Sequence, residues 1–305
     1  MHIYLPIAEL SVNWAILLAL GVAVGFLSGM LGVSGGFITT PLLIFYGIPS
    51  GVAVASQASP VAAASLVGAI RQGGNKSVDY KMGLWLLLGG LIGSAVGVWI
   101  FAILERIGQI DFVVKISYLI LLGTIGGLML NESIQTIRAA RAGQNVGHKP
   151  GQHTWIHNLP FKMRFYRSRL YISVIPVVVL GFLVGIMTAI LGTGGAFILI
   201  PAKVYLLRMR TNLAIGTSQF QMFIVACVTT MMHAVVDHTV DILLAGILIV
   251  GGVVGAQFGA GTGQRLKGEE LRTVLALLII AIAIRLFVGL VLTPSDIYSL
   301  SVAMH

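Results

Sequence analysis

The amino-acid sequence predicts an all-α polytopic membrane protein built from two inverted-topology repeats. Apolar residues make up 57% of the chain and charged residues only 10%, far from the composition of a soluble globular protein. A glycine-rich motif occurs once in each half of the chain, and basic residues are concentrated in particular loops. The composition predicts the membrane location, the motif predicts the duplication, and the charges predict the orientation.

The duplication is visible in a series of paired motifs. Leu31–Pro41 has the sequence LGVSGGFITTP, and Leu191–Pro201 has the sequence LGTGGAFILIP. Further pairs follow in the same order: Ser56-Gln57 with Ser218-Gln219, Val78-Asp79 with Val240-Asp241, and the Gly-Gly-x-x-Gly-x-x-x-Gly runs Gly89–Gly97 with Gly251–Gly259. Two homologous apolar halves, each with a glycine-rich break, are typical of membrane transporters.

Each half is expected to contain about five membrane segments, since a helix needs about 20 apolar residues to cross a bilayer. The segments are predicted at 12–31, 33–46, 52–70, 83–103 and 113–130, then at 172–191, 193–207, 212–232, 242–262 and 273–292. The second segment of each half is too short to cross about 30 Å of hydrocarbon at a rise of about 1.5 Å per residue. It also begins at a glycine cluster and contains a proline. Short broken or re-entrant helices are therefore predicted at the glycine-rich motifs.

Positive charge predicts the orientation, because loops rich in Lys and Arg remain in the cytoplasm. The chain has a formal net charge of +9, and most of the excess lies in residues 131–171. This pattern favours a cytoplasmic loop beside anionic lipid over a nucleic-acid-binding surface. Loops 71–82, 203–210 and 264–272 are also basic and are placed inside, whereas 233–241 has no Lys or Arg and is placed outside. Both termini are predicted to be periplasmic, which gives the two halves opposite orientations.

The predicted organisation is a first transmembrane repeat over 1–131, a basic cytoplasmic loop over 132–170 and a second transmembrane repeat over 171–305. The N-terminus lacks a basic region and a small-residue cleavage site, so 12–31 is interpreted as a membrane span and not as a signal peptide. The lipid bilayer is the expected surrounding, and no nucleic-acid partner is expected. No Gly-x-x-x-Gly run requires a dimer, and the sequence leaves a homodimer as an open alternative to the monomer.

The two glycine breaks predict an anion site near the middle of the bilayer. Glycines allow a helix to unwind, and a helix that restarts after the break directs free N–H groups and its positive end at a ligand. Neutral hydroxyl and amide donors suit a small oxyanion without the cost of a buried ion pair. The candidate substrate-binding residues are Ser34, Gly35, Gly36, Ser56, Gln57, Thr193, Gly194, Gly195, Thr217, Ser218 and Gln219. The alternative roles are tight helix crossing for the glycines, and helix capping or interhelical hydrogen bonding for the Ser-Gln pairs.

Ionisable side chains in or beside membrane segments are candidates for attracting or coupling to an anion. They are Arg71, Lys203, Arg210, His233 and Arg285. Lys203 and Arg210 are expected at the cytoplasmic entrance, and Arg285 near the middle of the last segment. His233 aligns with Arg71 and is expected at the outer entrance, with proton coupling as a minor option. The glycine runs at 89–97 and 251–259 are expected to be close-packing seams.

No catalytic residue, metal site or cofactor is predicted, and no enzymatic activity. The sequence contains no ATP-binding P-loop, and the histidines of the central loop lack supporting Cys or acidic residues. One alternative from another class is an intramembrane serine hydrolase, because residues 32–36 fit G-x-S-x-G, with Ser34 as nucleophile and His233 as base. A channel-like anion permease is the closer alternative.

These motifs resemble the TauE/SafE family of sulfite exporters, also called toluene sulfonate uptake permeases. The resemblance rests on the L-G-x-[SG]-G-[GA]-F-I-x-x-P element, the Ser-Gln pair and the glycine run of both halves, and it covers about residues 15–292. It implies a secondary transporter, with export as the favoured direction, of small sulfur-containing anions such as sulfite or organosulfonates across the bacterial inner membrane. Alternating access around a midplane site is the expected mechanism. The central loop is longer than in compact members.

Overall fold

The computed structural model describes residues 2–31, 35–74, 77–141, 161–165, 167–168, 170–207, 209–263 and 268–291. The first half consists of strands β1 (His2–Leu5) and β2 (Leu10–Asn13) and helices α1 (Trp14–Leu31), α2 (Gly36–Phe45), α3 (Ser50–Gly74), α4 (Tyr80–Arg106) and α5 (Ile110–Arg141). The second half consists of β3 (Lys162–Phe165), β4 (Leu170–Ser173), α6 (Val174–Leu191), α7 (Ala196–Pro201) with a π-helical continuation (Ala202–Leu206), α8 (Thr211–Val236), α9 (Ile242–Gly263) and α10 (Gly268–Val291). Within these described residues, six helices are long and apolar enough to cross a membrane, so the chain is an all-α multi-pass membrane protein, as predicted.

Helix α5 extends beyond the segment predicted for it. The prediction ended at residue 130, whereas the helix continues to Arg141 and takes the first part of the predicted loop. Residues 131–141 are polar but contain neither Gly nor Pro, so the helix continues after its apolar stretch has ended. Residues 142–160 of the predicted basic loop lie outside the described residues.

Each repeat opens with a short β-hairpin that the sequence did not reveal. In the first hairpin His2 pairs with Asn13, and in the second Lys162 pairs with Ser173, both antiparallel. Strands of four residues are too short to show a clear alternation of apolar and polar positions. The second hairpin lies in a segment that the charges had assigned to the loop and to the start of the next span.

The short second helix of the first half, α2, is re-entrant, as predicted. Gly35, just before α2, lies beside Val24 and Ser28 of α1, about two-thirds of the way along that helix. At the other end of α2, the Tyr46 hydroxyl accepts a hydrogen bond from the Asn13 N–H at 3.4 Å. The chain therefore enters along α1, turns at the glycine break and returns along α2 to the side from which it started.

Helices of one repeat pack against helices of the other, and the pairs α1–α9 and α4–α6 are the exchanged helix pairs. Helix α1 packs on α9, and α6 packs on α4, while α3 crosses α8 and α5 lies on α10. Both exchanged pairs are parallel: along α1, Gly25 faces Gly252 and Gly29 faces Ala256. In each pair the contacts run through the glycine seams at 89–97 and 251–259, so the prediction of close packing there is confirmed.

Two buried aspartates each accept a hydrogen bond from the hairpin of the opposite half. Asp79, before α4, accepts a hydrogen bond from the Ser168 N–H (3.1 Å) in the turn of the second hairpin. Asp241, before α9, accepts one from the Ile7 N–H (3.2 Å) in the turn of the first hairpin. Asp241 also caps α9 by accepting from the N–H groups of Leu243 (3.0 Å) and Leu244 (3.1 Å). The Val-Asp repeat in the sequence therefore marks a structural contact made twice.

Asp241→Ala is expected to lower the thermal unfolding midpoint of the detergent-solubilised protein. The change leaves three backbone N–H groups without their acceptor, a loss of about 2 kcal/mol by the usual cost of buried charge-assisted bonds. Glu9→Gln is the matched control, because it removes one negative charge from the exposed surface of the same hairpin. Equal unfolding midpoints for the two variants would contradict this role of Asp241.

Candidate functional site

The two glycine breaks meet in the interior. Gly36 is the first residue of α2, and a Cβ atom at this position would lie 3.0 Å from the carbonyl oxygens of both Gly192 and Thr193. It would also lie 2.8 Å from the Val61 side chain of α3. Only a residue without a side chain allows the breaks to approach this closely. The inverted arrangement thus brings the two repeated motifs into direct contact.

The first break ends in an uncapped helix. Gly35 is the N-cap residue of α2, and it has no side chain that could cap the helix. The Gly35 carbonyl oxygen accepts hydrogen bonds from the N–H groups of Ile38 (3.0 Å) and Thr39 (3.1 Å). The hydroxyls of Thr39 and Thr40 donate to the carbonyls of Gly35 and Gly36, both at 3.2 Å. Among the described residues, the positive end of the ten-residue helix α2 therefore has no capping side chain. Ser34 lies outside the described residues.

The second break is built differently. Gly192, Gly194 and Gly195 have φ angles of 64°, 69° and 56°, a left-handed conformation in which other residues are strained. The Thr193 hydroxyl accepts from the Gly195 N–H at 3.3 Å, and all four residues of the break are buried. This break thus satisfies part of its own backbone, and α7 behind it has only six residues.

A cavity of about 40 Å³ lies beside the first break, between α1, α2, α3 and α9. Gly35, Gly36 and Thr39 contribute from the break and α2, Gln57 from α3, and Gly252 from α9. Gln57 is 3% exposed, and its Oε1 has no hydrogen-bond partner among the residues that the structure describes. A half-turn of this amide exchanges its oxygen and its NH2 group, so it can present donors to the cavity.

The corresponding space in the second half is filled. Gly252 has open space where a Cβ would be, with no atom within 4 Å. At its counterpart in the repeat, Gly90, a Cβ atom would lie 2.8 Å from the Val225 side chain and 3.2 Å from the Gln221 amide nitrogen. Pro60 and Ala64 of α3 line the cavity, whereas the equivalent residues of α8, Gln221 and Val225, are larger. The cavity therefore arises from unequal side chains in two otherwise equivalent places.

The predicted Ser-Gln residues have different surroundings. The Ser56 hydroxyl accepts from the Asp241 N–H at 2.9 Å, and the Thr217 hydroxyl accepts from the Asp79 N–H at 3.0 Å. Thr217, one residue before the Ser-Gln pair, is thus the structural counterpart of Ser56. Gln219 packs against Gly68 of α3 and does not line the cavity. Of the predicted neutral donors that the structure describes, Gln57 is the one that lines the cavity.

The five predicted ionisable residues separate into exposed and buried groups. Arg71, Arg210 and Arg285 are exposed, and Arg285 lies over the Phe45 ring at 5.6 Å, in the second half of α10. Lys203 is completely buried in the π-helical segment and donates to the Ser218 hydroxyl at 2.9 Å. His233 is also completely buried, in contact with Asp237, Ala189 and Phe101, and does not line an open entrance.

Sequence reasoning did not single out Gly252, Asp79 or Asp241 for a role at the site. The repeated Val-Asp and Gly-Gly motifs were the available signal, since both place these residues at equivalent positions of the two halves. Among the residues that the structure describes, no group of three His, Cys, Asp or Glu side chains is arranged to hold a metal ion.

Comparison with known proteins assigns the chain to a family. The family model described as "Sulfite exporter TauE/SafE" matches residues 17–286, a range that includes both glycine breaks and the cavity. No solved structure matches the chain.

Several curated proteins are similar over nearly their whole length. The chain is 23% identical to "Probable membrane transporter protein YunE" of Bacillus subtilis (strain 168) over 287 residues, 90% of this chain and 97% of that protein. It is 27% identical to a "Probable membrane transporter protein" of Xylella fastidiosa (strain 9a5c) over 268 residues, 87% of this chain and 91% of that protein. It is 22% identical to "Probable membrane transporter protein YjnA" of Bacillus subtilis (strain 168), covering 88% of this chain and 98% of that protein. All three names describe transport.

Proposed function

Because the chain belongs to the sulfite exporter TauE/SafE family, we propose that it is a secondary transporter of small sulfur-containing anions, such as sulfite or organosulfonates. The observation that carries this proposal is the cavity beside the first glycine break, at the start of α2. The anion binds there during its passage. Export across the bacterial inner membrane is the proposed direction, with both termini periplasmic and the central loop cytoplasmic.

The chemistry of the cavity suits an oxyanion. Helix α2 directs its positive end at the cavity, and no side chain occupies the capping position. Gln57 supplies an amide that can donate hydrogen bonds, and Gly35 and Gly36 allow a ligand to approach the backbone. These neutral groups bind a small anion with moderate affinity, which a transporter needs in order to release it again.

Lys203 supplies a buried amine in the interior. It is completely buried, and no carboxylate forms an ion pair with it within the described part of the chain. Its Nζ group donates to Ser218, and Asp79 is the acidic group that interacts with it electrostatically. The first half has Leu43 at the equivalent position, so this amine is present once.

The exchanged helix pairs support an alternating-access mechanism. The re-entrant unit of the first half, α1 and α2, packs on α9, whereas that of the second half, α6 and α7, is joined to α4. Each unit thus moves together with a helix from the opposite half. Movement of one unit relative to the other opens the junction between Gly36 and Gly192 first to one side of the membrane and then to the other.

Thermal unfolding of the purified protein with sulfite, sulfate, thiosulfate and short sulfonates tests the proposal. A ligand at about 100 times its Kd stabilises the folded state by about 2.7 kcal/mol, so a sulfur-containing anion is expected to raise the unfolding midpoint. Gln57→Leu is expected to remove most of this shift. Gln219→Leu is the matched control, since it removes a buried amide that does not line the cavity. Loss of the shift in Gln219→Leu alone would place the anion elsewhere.

A further inference from the structure

A buried histidine–aspartate pair lies at the end of α8. The His233 Nδ1 atom is 2.9 Å from the Asp237 Oδ2 atom, and the two side chains are 0% and 1% exposed. The His233 Nε2 atom is 3.1 Å from the carbonyl oxygen of Ala189 in α6, and the imidazole ring meets the Phe101 ring of α4 edge-on at 4.7 Å. None of these atoms belongs to the proposed anion cavity.

The hydrogen-bond partners fix the number of protons on this pair. A backbone carbonyl oxygen only accepts, so the His233 Nε2 atom carries a hydrogen and donates to Ala189. The contact between the Nδ1 atom and the carboxylate of Asp237 then needs a second proton, held by either partner. If that proton leaves, a lone pair on Nδ1 faces a negative oxygen. The pair therefore has two states, bonded with the proton and repelling without it.

We propose that the His233–Asp237 pair is the proton-binding site through which anion transport is coupled to proton movement. This inference rests on the proposed function, since it names the coupling ion of the same transporter. The equivalence of Ser56 with Thr217 places Gln72, which is not ionisable, at the position equivalent to His233. The proton site is therefore present in one half.

Glu105 gives the pair a route to water. It is a half-buried residue in the last turn of α4, and its carboxylate interacts electrostatically with both Asp237 and His233. It is the titratable group that α4 presents to the pair, beside Phe101, and α6 presents the Ala189 carbonyl. A proton from the aqueous phase reaches Glu105 first, then the Asp237 carboxylate, and finally the His233 Nδ1 atom.

The position of the pair explains how a proton affects the anion site. Ala189 lies in the last turn of α6, just before the left-handed Gly192 that touches Gly36. His233 therefore joins α8 to the end of the helix that leads into the second break. When the proton leaves, repulsion between the Nδ1 lone pair and Asp237 displaces the imidazole. The end of α6 and the adjoining break are then free to move.

Proteoliposomes that contain the full chain test this inference with labelled sulfite as the probe. Two rates are measured: equilibrium exchange without a gradient, and accumulation driven by an imposed pH gradient, each after subtraction of protein-free vesicles. For His233→Gln we expect accumulation to fall more than about tenfold while exchange remains within about twofold of wild type. Sulfite has the same protonation equilibrium with either protein, so the difference reports on the residue. His238→Asn, an exposed neighbour, is the control and is expected to show both wild-type rates.

Asp237→Asn is the second variant, because it keeps a hydrogen-bond acceptor for His233 but removes the titratable carboxylate. It is expected to show the same selective loss of accumulation. Wild-type accumulation in both variants would overturn the inference, as would a wild-type protein that exchanges sulfite but does not respond to the gradient. A wild-type protein that does not exchange sulfite at all would instead overturn the proposed function.

Discussion

Gly255→Ala is expected to prevent the protein from folding into its native structure. A Cβ atom at this position would overlap the carbonyl oxygen of Val22 and would lie 2.8 Å from the backbone nitrogen of Phe26, both in α1. Backbone atoms cannot rotate away as a side chain does, so α1 and α9 would have to separate along their whole contact. Overpacking of this kind costs about 3 kcal/mol or more. Size-exclusion profiles and unfolding midpoints in detergent measure the effect.

Gly246→Ala is the matched control for this variant. It lies on the same helix, and a Cβ atom there would have no atom within 4 Å. Alanine is the better helix former by about 1 kcal/mol, so this variant is expected to be as stable as the wild type or slightly more stable. If Gly255→Ala gave a monodisperse protein with an unchanged midpoint, the close packing of α1 on α9 would be contradicted.

The glycine seams show what a sequence predicts about packing and what it does not. The spacing of glycines at 251–259 predicts a surface on which another helix lies close, because small residues at this spacing share one helix face. The identity of that other helix depends on the arrangement of the whole chain. Helix α9 packs on α1 of the other half, far away in sequence, and no local pattern specifies this partner.

The site shows a similar division. The opposite orientation of the halves predicts that the two breaks approach each other, and Gly36 indeed contacts Gly192. The repeat suggests two equivalent subsites, whereas the structure has its cavity beside the first break. That difference arises because Pro60 and Ala64 stand opposite Gly252, whereas Gln221 and Val225 stand opposite Gly90. Such pairings join helices from distant parts of the chain and have no signature in either motif alone.

Burial of the ionisable residues also depends on tertiary structure. Lys203 and His233 lie near the ends of their segments, where a charged side chain ordinarily extends to the membrane surface. The structure buries both completely, in contact with Ser218 and with Asp237 respectively. These two partners, a hydroxyl within α8 and a carboxylate at its end, provide the polar contacts of the buried amine and imidazole.

Gly252→Ala is expected to impair transport without harming the fold. Gly252 lines the cavity, and a Cβ atom there has no atom within 4 Å, so the added methyl group occupies the space proposed for the anion. Displacing a ligand from a site by one carbon costs about 1–3 kcal/mol, roughly tenfold or more in rate. The unfolding midpoint is expected to stay constant or rise, since alanine favours the helix by about 1 kcal/mol over glycine.

Gly246, Gly252 and Gly255 therefore form a series on one helix, with the same chemical change at each position. Alanine at the first meets open space outside the site, at the second meets the cavity, and at the third meets the backbone of α1. If Gly252→Ala lost transport through unfolding, its unfolding midpoint would be low, like that of Gly255→Ala. If it lost transport by filling the site, its unfolding midpoint would resemble that of Gly246→Ala.

The most direct test of the anion site is equilibrium exchange of labelled sulfite in proteoliposomes that contain wild type, Gly246→Ala or Gly252→Ala. The expected result is equal exchange by wild type and Gly246→Ala, and exchange lower by about tenfold in Gly252→Ala at an unchanged or higher unfolding midpoint. Wild-type exchange by Gly252→Ala would contradict the cavity as the anion site, and absence of exchange by the wild type would contradict sulfite transport itself.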